Sequence, residues 1–324
     1  ELAGAAIELT DALIINPNDA DEIEEAIYKA LTMDDDEKTR RLDRMKQRIS
    51  THTVEKWAGD FVDELKSIKN QNRSINKKTI TQNKLAFIKK DYDKSKSRLI
   101  ILDYDGTLSP FVKNPEDAIP TKRTLEMLKN LTSDKNNNIV INSGRNHHTL
   151  DKWFKGIDVD LAAEHGAFYK SEGKWEQNIK EKPVWDKEIL DILHRTVDRT
   201  PRSELEIKET ALVWHYRNSD IWLADMREKQ LVNELMGPVA RHDLQIMRGN
   251  KIVEIKSPNH HKGSEVERLL KKDNYDFVMA IGDDTTDDDM FRALPKGGFS
   301  IKVGDFSEAA QLRLPWQDEV VPFL

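Results

Sequence analysis

Short, mainly apolar stretches recur in the second two-thirds of the chain, and polar side chains follow each of them. The stretches are rich in β-branched residues, which is typical of strands buried on both faces of a sheet. They occupy residues 99–102, 138–142, 159–163 and 277–281. Segments with apolar residues at helical spacing separate them, for example residues 121–131, so the pattern predicts an α/β fold with a doubly wound parallel sheet.

The pattern changes between residues 168 and 255, where shorter strands alternate with two helices. The strands are predicted at residues 203–208, 211–217, 244–247 and 251–255, and the helices at about residues 184–198 and 220–235. This mixture favours a smaller α/β domain inserted into the sheet domain. The predicted sheet core therefore comprises residues 97–167 and 256–324, and the inserted cap comprises residues 168–255.

The first part of the chain differs from both domains. Residues 1–66 have apolar positions at helical spacing, such as Ile23, Ile27 and Leu31, and predict an N-terminal helical extension. Residues 67–96 contain few apolar residues and many Asn, Gln, Lys and Ser. They predict a linker with one short helix at residues 81–92.

The composition narrows the class of protein. Charged residues make up 34% of the 324 residues and the formal net charge is −7, which indicates a heavily charged surface. The lysine-rich residues 66–98 lack a recognisable nucleic-acid-binding motif, so we expect no nucleic-acid partner. The absence of cysteine excludes disulfides and thiolate metal sites. No apolar stretch reaches the roughly 20 residues of a membrane span and no signal peptide is recognised, so we expect a cytoplasmic protein without a membrane partner.

Two carboxylates follow the first predicted strand. Asp103 and Asp105 lie two residues apart, and the carboxyl ends of parallel strands face the ligand crevice of an open sheet. Two carboxylates about 4 Å apart repel each other by roughly 4 kcal/mol at an effective dielectric constant near 20. A cation or a proton is needed to relieve that repulsion. The alternative is an Asp-rich turn that binds nothing.

Further polar residues follow the other predicted elements. Ser143 follows the second strand, Lys262 lies at the start of a helix, and an acidic cluster at residues 283–289 follows the fourth strand. Carboxylate and carbonyl oxygens suit a hard cation such as Mg²⁺. The alternative for the acidic cluster is a negatively charged helix start without a metal.

These residues resemble, in order, the four motifs of the haloacid dehalogenase superfamily. The first motif, Asp-Tyr-Asp-Gly-Thr-Leu at residues 103–108, and the last, Gly-Asp-Asp-Thr-Thr-Asp-Asp at residues 282–288, are similar to the trehalose-6-phosphate phosphatase family in particular. The resemblance implies a haloacid dehalogenase-like fold and Mg²⁺-dependent hydrolysis of trehalose 6-phosphate to trehalose and phosphate, the last step of trehalose biosynthesis. It also implies an aspartyl-phosphate intermediate.

The resemblance implies a role for each catalytic residue. Asp103 is the expected nucleophile, and Asp105 the general acid and then base. Thr107 and Ser143 are expected to donate hydroxyl hydrogen bonds to the phosphoryl oxygens. Lys262 is expected to place a positive charge beside the phosphate and Asp103.

The resemblance also implies a metal site. Its expected ligands are the Asp103 carboxylate, the Asp105 backbone carbonyl and the Asp283 carboxylate. Asp284 and Asp287 are expected to orient water molecules bound to the ion.

Charged residues of the cap are candidates for substrate selection. Glu206-x-Lys208, His215-Tyr216-Arg217 and Lys251-x-x-Glu254 resemble motifs whose charged members contact the sugar in that family. The expected sugar contacts are Glu206, Lys208, Arg217, Lys251 and Glu254. The alternative is a solvated charged face. Glu164 and His165 lie near the predicted hinge, where they either touch the substrate or only stabilise the turn.

The N-terminal extension carries a second resemblance. Segments at residues 1–6, 15–19 and 30–33 are similar to the C-terminal end of trehalose-6-phosphate synthases, which are retaining glucosyltransferases. The resemblance implies a fused or associated synthase as partner. Since only the last part of that family is matched, we do not expect this segment to transfer glucose.

Two other functions stay open at this point. One is a phosphatase of the same superfamily that acts on another sugar phosphate, which would share the core residues without the cap set. The other is a catalytically silent regulatory subunit of a trehalose-synthesising complex. The intact carboxylates and Lys262 argue against the silent subunit.

Overall fold

The computed structural model describes residues 9–15, 17, 19–51, 54–112, 114–178, 185–258 and 261–324. Residues 1–6, which carry part of the synthase resemblance, lie outside the described residues. The chain divides into two compact units, Glu1–Asn76 and Lys77–Leu324. Each is described by itself.

The first unit is helical, as the sequence predicts. It contains α1 (Ala20–Thr32), α2 (Asp35–Thr51) and most of α3 (Val54–Lys78). Asp19 caps α1, because its carboxylate accepts hydrogen bonds from the backbone N–H groups of Asp21 and Glu22, both at 3.1 Å.

The second unit begins with helix where the sequence predicted a linker. Helix α3 continues to Lys78, and α4 spans Gln82–Lys94. The predicted short helix is therefore present, but most of residues 67–96 is helical. Ile88 of α4 is buried in the core of this unit, and that contact anchors the helix.

Twelve strands in the described residues form two sheets. The strands are β1 (Arg98–Leu102), β2 (Asn137–Asn142), β3 (Asp160–Ala163), β4 (Phe168–Ser171), β5 (Lys174–Gln177), β6 (Glu204–Ile207), β7 (Ala211–His215), β8 (Gln245–Gly249), β9 (Ile252–Lys256), β10 (Phe277–Gly282), β11 (Phe299–Val303) and β12 (Leu312–Leu314). The remaining helices are α5 (Lys122–Ser133), α6 (His147–Trp153), α7 (Lys187–Asp198), α8 (Ile221–Arg241), α9 (Lys262–Lys272), α10 (Asp287–Arg292) and α11 (Val320–Phe323).

The larger sheet has the order β12-β11-β10-β1-β2-β3-β4-β5, and its first six strands are parallel. Its central strand β1 is buried on both faces. Ile100 and Leu102 pack into the hydrophobic cluster on one side of the sheet, and Leu99 and Ile101 pack into the cluster on the other side. The uninterrupted apolar stretches of the sequence reflect this double burial.

The smaller sheet has the order β6-β7-β9-β8 and is antiparallel throughout. Helices α7 and α8 cover one face, where Trp214 of β7 is fully buried. This sheet and its helices form the inserted α/β cap, so the fold class predicted from the sequence is confirmed.

One boundary differs from the sequence prediction. Strands β4 and β5 lie within the predicted cap, but they extend the larger sheet as an antiparallel hairpin on β3. The sequence shows two short strands and a turn at Glu172-Gly173. Which sheet they join depends on pairing with β3 and has no local signature.

None of the helices in the described part of the chain combines the length and the apolar character that a membrane span requires.

Candidate active site

The larger sheet gathers the predicted catalytic residues at one edge. Because β1 lies between β10 and β2, Asp103, Asp283 and Ser143 follow neighbouring strand ends. The side-chain amide of Asn142 donates to the backbone carbonyl of Lys262 at 3.0 Å, which ties the end of β2 to the start of α9. Asp103, Ser143 and Lys262 are all at most 3% exposed.

The loop after β1 is shaped by Gly106. Its φ is +83°, and a Cβ at this position would lie 2.1 Å from Oδ2 of Asp283. Only glycine therefore allows the loop to pass beneath that carboxylate. The hydroxyl of Thr107 lies 3.2 Å from Oδ1 of Asp283 and 3.4 Å from Oδ2 of Asp103, so it donates within the acidic site.

Lys262 is held between two buried carboxylates. Its Nζ donates to Oδ1 of Asp103 at 2.5 Å and to Oδ1 of Asp287 at 2.6 Å. Burial alone would lower the pKa of Lys262, but the charges of both carboxylates raise it above its ordinary value. Lys262 is therefore a fixed positive charge beside Asp103.

Three carboxylates lie close enough to share one metal ion. One oxygen each of Asp103, Asp283 and Asp287 fall within 4.8 Å of one another. Burial and the charge of Asp287 raise the pKa of Asp103 well above its ordinary value and that of Asp283 to about 6. A single lysine does not neutralise three carboxylates, so the site is short of positive charge.

The donor set fits Mg²⁺, because every candidate ligand atom in this cluster is an oxygen and two of the three residues are almost completely buried. Gly282 allows Asp287 to approach, since a Cβ there would lie 2.2 Å from Cγ of Asp287.

Asp284 is placed differently from these three carboxylates. Its carboxylate accepts from the backbone N–H of Thr285 at 2.7 Å, and it lies outside the three-carboxylate cluster.

Asp105 has a partner that sequence reasoning missed. Arg145 donates to Asp105 from Nε to Oδ2 at 2.7 Å and from Nη2 to Oδ1 at 2.5 Å. Its Nη1 donates to the carbonyl of Pro115 at 2.6 Å, and its guanidinium lies 5.0 Å from the ring centroid of Trp153. The only available signal was the position of Arg145 two residues after Ser143, whose Oγ accepts its backbone N–H at 3.2 Å.

Glu206 and Lys208 of the cap lie on the side that meets the core. Lys208 Nζ donates to the carbonyl of Gly144 at 3.2 Å, and it lies 3.8 Å from Glu206 Oε2. His215 Nε2 is 2.8 Å from the same Glu206 oxygen. Burial alone would raise the pKa of Glu206, but the His215 hydrogen bond and the Lys208 charge lower it below its ordinary value.

Arg217 and Lys251 are engaged elsewhere in this structure. Arg217 donates to the backbone carbonyls of Val112 in the core at 2.7 Å and of Asn250 in the cap at 3.1 Å. Lys251 Nζ donates to Asp225 of α8 at 3.1 Å. Arg217 therefore joins cap to core, whereas Lys251 is paired within the cap.

Glu254 and His165 form a buried pair between cap and core. Their side chains lie 3.4 Å apart, from His165 Nε2 to Glu254 Oε2. Burial and the charge of Lys256 lower the pKa of His165 to about 4. Burial alone would raise the pKa of Glu254, but the hydrogen bond with His165 and the charges of Lys208 and Lys256 lower it below its ordinary value. The neighbouring Glu164 accepts from the Thr210 hydroxyl at 2.6 Å. Both residues of the predicted hinge turn therefore bind the cap.

The structure thus gathers Asp103, Thr107, Ser143 and Lys262 with Asp283 and Asp287 at one sheet edge. Asp105 joins them through Arg145. Glu206, Lys208, Arg217 and Glu254 make contacts at or near the cap–core junction, and Asp284 and Lys251 bind local partners instead.

Comparisons with known proteins agree with this geometry. A family model described as trehalose-phosphatase matches residues 101–320, and one described as glycosyltransferase family 20 matches residues 1–67. The chain is 37% identical over 317 residues to a bifunctional trehalose-6-phosphate synthase/phosphatase of Thermoproteus tenax, covering 97% of this chain and 43% of that protein. It is 36% identical over 321 residues to a trehalose-phosphatase of Zygosaccharomyces rouxii, covering 91% and 35%.

A solved structure is also similar. The C-terminal domain of the C. albicans trehalose-6-phosphate phosphatase superposes with a TM-score of 0.71 at 30% sequence identity, covering 76% of this chain and 96% of that one. The chain spans less than half the length of the two curated relatives.

Proposed function

The chain belongs to the trehalose-phosphatase family, and on that premise we propose that it hydrolyses trehalose 6-phosphate to trehalose and phosphate, the last step of trehalose biosynthesis. The observation that carries the proposal is the buried contact of Lys262 with Asp103 and Asp287 at 2.5 and 2.6 Å. This contact supports the proposal, because hydrolysis of a phosphate monoester can use a carboxylate nucleophile beside a fixed cation and further carboxylates.

Asp103 is the proposed nucleophile. Lys262 orients its Oδ1, and the other oxygen lies beside the Thr107 hydroxyl. In the first step an Asp103 oxygen forms a bond to phosphorus while the bond to the sugar oxygen breaks. Asp105 donates a proton to that leaving oxygen. In the second step Asp105 accepts a proton from water, whose oxygen attacks phosphorus and releases phosphate from Asp103.

We propose that Mg²⁺ is held by the carboxylates of Asp103 and Asp283 and by the backbone carbonyl of Asp105, with Asp284 and Asp287 orienting its water molecules. The oxygen-only donor set and the excess of carboxylates over cations support this site. When bound, the ion would neutralise charge on Asp103 and on the phosphoryl oxygens. The hydroxyls of Thr107 and Ser143 donate to the remaining phosphoryl oxygens.

The proposed sugar contacts are Glu206, Lys208, Arg217, Lys251 and Glu254. Lys208 and Glu254 contact the core at Gly144 and His165, and Glu206 lies beside Lys208. Charged groups at this junction suit the many hydroxyls of a disaccharide. A site built from such groups rejects sugars that leave them unpaired. Arg217 and Lys251 use some of their N–H groups on Val112, Asn250 and Asp225 and keep others for substrate.

The proposed partner is a trehalose-6-phosphate synthase, fused or associated. The match of residues 1–67 to glycosyltransferase family 20 and the fused relative of Thermoproteus tenax support it. Because only the end of that family is matched, we propose that residues 1–67 do not transfer glucose. The cytoplasmic location stays a prediction.

The test is phosphate release from trehalose 6-phosphate, sucrose 6-phosphate, glucose 6-phosphate and p-nitrophenyl phosphate, each with Mg²⁺ and with EDTA. We expect a strong, Mg²⁺-dependent preference for trehalose 6-phosphate. Comparable activity on all four substrates would support the chemistry proposed for the core residues. It would remove the cap residues from the proposed sugar contacts. No activity from the folded chain would leave the regulatory subunit as the better interpretation.

A further inference from the structure

Lys256, the last residue of β9, is a buried lysine without a direct partner in the part of the chain that the structure describes. It is 4% exposed, and its Nζ makes neither an ion pair nor a hydrogen bond with any residue that the structure describes. The two other buried lysines among these residues differ. Lys262 binds two carboxylates, and Lys302 donates to the carbonyl of Asp284 at 2.8 Å.

Lys256 lies next to residues of the proposed active site. It follows Glu254 by two residues on the same strand, so both side chains lie on one face of the smaller sheet, and both are buried. The charges that act on it are those of Glu254, Lys262, Asp289 and Lys208. Lys262 binds the proposed nucleophile, and Lys208 reaches the carbonyl next to Ser143.

Burying an unpaired ammonium costs free energy. Burial lowers the pKa of Lys256. The charges of Glu254 and Asp289 oppose this effect, whereas the charges of Lys262 and Lys208 add to it. Glu254 already interacts with His165. An anion that binds beside Lys256 during function would compensate this buried positive charge.

We propose that Lys256 is a second phosphate-binding lysine beside Lys262, which contacts the phosphoryl group of the substrate and then the phosphate product. The inference rests on the proposed function, since that function brings a phosphate dianion into the cleft. It explains why Lys256 is buried where the charges of Lys262 and Lys208 act on it, although like charges repel.

The experiment is calorimetric titration of inorganic phosphate into the full chain with Mg²⁺, together with the melting temperature. Lys256→Met removes the charge and keeps the apolar stem, and Lys256→Arg keeps the charge. Lys170→Met is the control, because Lys170 of β4 is a partly buried lysine that is paired with Asp151 at 2.5 Å.

We expect Lys256→Met to weaken phosphate binding about tenfold, the value of one charge-assisted hydrogen bond, without lowering the melting temperature. Lys256→Arg should retain most of the affinity. Lys170→Met should lower the melting temperature slightly and leave phosphate binding unchanged. In turnover, Lys256→Met should also weaken inhibition by phosphate.

Unchanged phosphate affinity in Lys256→Met overturns the assignment. So does a Lys256→Met protein that melts below wild type or fails to fold, because the lysine would then be part of a structural ion pair. Failure of the proposed function is recognised separately, as a wild-type protein that binds phosphate but hydrolyses no sugar phosphate. The affinities of the two Lys256 variants still decide the role of Lys256 in that case.

Discussion

Arg145 holds both carboxylate oxygens of Asp105 in a two-point contact, at 2.7 Å from Nε and 2.5 Å from Nη2. The guanidinium is fixed in turn by the Pro115 carbonyl and by the face of Trp153. A planar fork of this kind fixes the orientation of a carboxylate as well as its position. The proposed general acid therefore has its side-chain direction set by a residue 40 positions away in the chain.

We predict that Arg145→Met slows turnover of trehalose 6-phosphate by about a hundredfold, within the range that one general acid contributes. Turnover of p-nitrophenyl phosphate should fall much less, because p-nitrophenolate leaves without a proton. Steady-state kinetics on both substrates check this. Asp105→Asn is the matched control and should show the same imbalance. Equal losses on both substrates would mean that Arg145 acts on the phosphate or on folding.

Asp103→Asn should abolish turnover and leave the chain folded. The amide cannot form the phosphoryl bond, and it removes one negative charge from the crowded carboxylate cluster. In EDTA, where no ion compensates that cluster, we expect its melting temperature to equal or exceed that of wild type. Differential scanning calorimetry and a phosphate-release assay measure both outcomes. Retained turnover would refute the nucleophile assignment.

Stabilisation by Mg²⁺ should depend on pH. The pKa of Asp283 is raised to about 6 and that of Asp103 is also raised, so both favour the protonated form in the fold. The stabilisation that these two carboxyl groups contribute to the fold is complete at pH values below their pKa in the unfolded chain. It is lost as the pH rises through their pKa in the folded chain. Above pH 6 the carboxylate of Asp283 is ionised and offers its oxygens to the cation.

We therefore expect Mg²⁺ at a hundred times its dissociation constant at pH 7.5 to add about 2.7 kcal/mol to the free energy of unfolding. The same Mg²⁺ concentration should add clearly less at pH 5, where protons compete for the carboxylates. Thermal melts in Mg²⁺ and in EDTA at both pH values provide the measurement. An equal gain at pH 5 and pH 7.5 would place the metal away from Asp283.

Arg217→Ala should impair action on trehalose 6-phosphate far more than on p-nitrophenyl phosphate, which has no sugar to bind. We expect about a tenfold loss of kcat/KM for each charge-assisted sugar hydrogen bond that is removed. Arg217→Lys is the control that keeps a charge without the planar fork. Equal losses on both substrates would remove Arg217 from the sugar contacts. Its bond to the Val112 carbonyl would then be the relevant one, as a contact that holds cap to core.

The sequence alone determined the core strands and the residues that follow them. Leu99 to Leu102 form an apolar stretch because β1 is buried on both faces, and that signal is local. Chain order then places Asp103, Ser143 and Asp283 after strand ends, and parallel pairing brings those ends to one edge. Glycine at residue 106 meets a local need, a positive φ in the turn, whereas the close approach of Asp283 to it is a tertiary contact.

Only the tertiary structure decided which side chains contact one another. The contact of Arg145 with Asp105, the pairing of Glu254 with His165 and the absence of a described partner for Lys256 depend on side-chain directions across the cap and core. The hairpin of β4 and β5 joins the larger sheet through its pairing with β3. These contacts join residues that are distant in the chain, and hydrophobic periodicity reports which face of an element is buried, not which side chain it meets there.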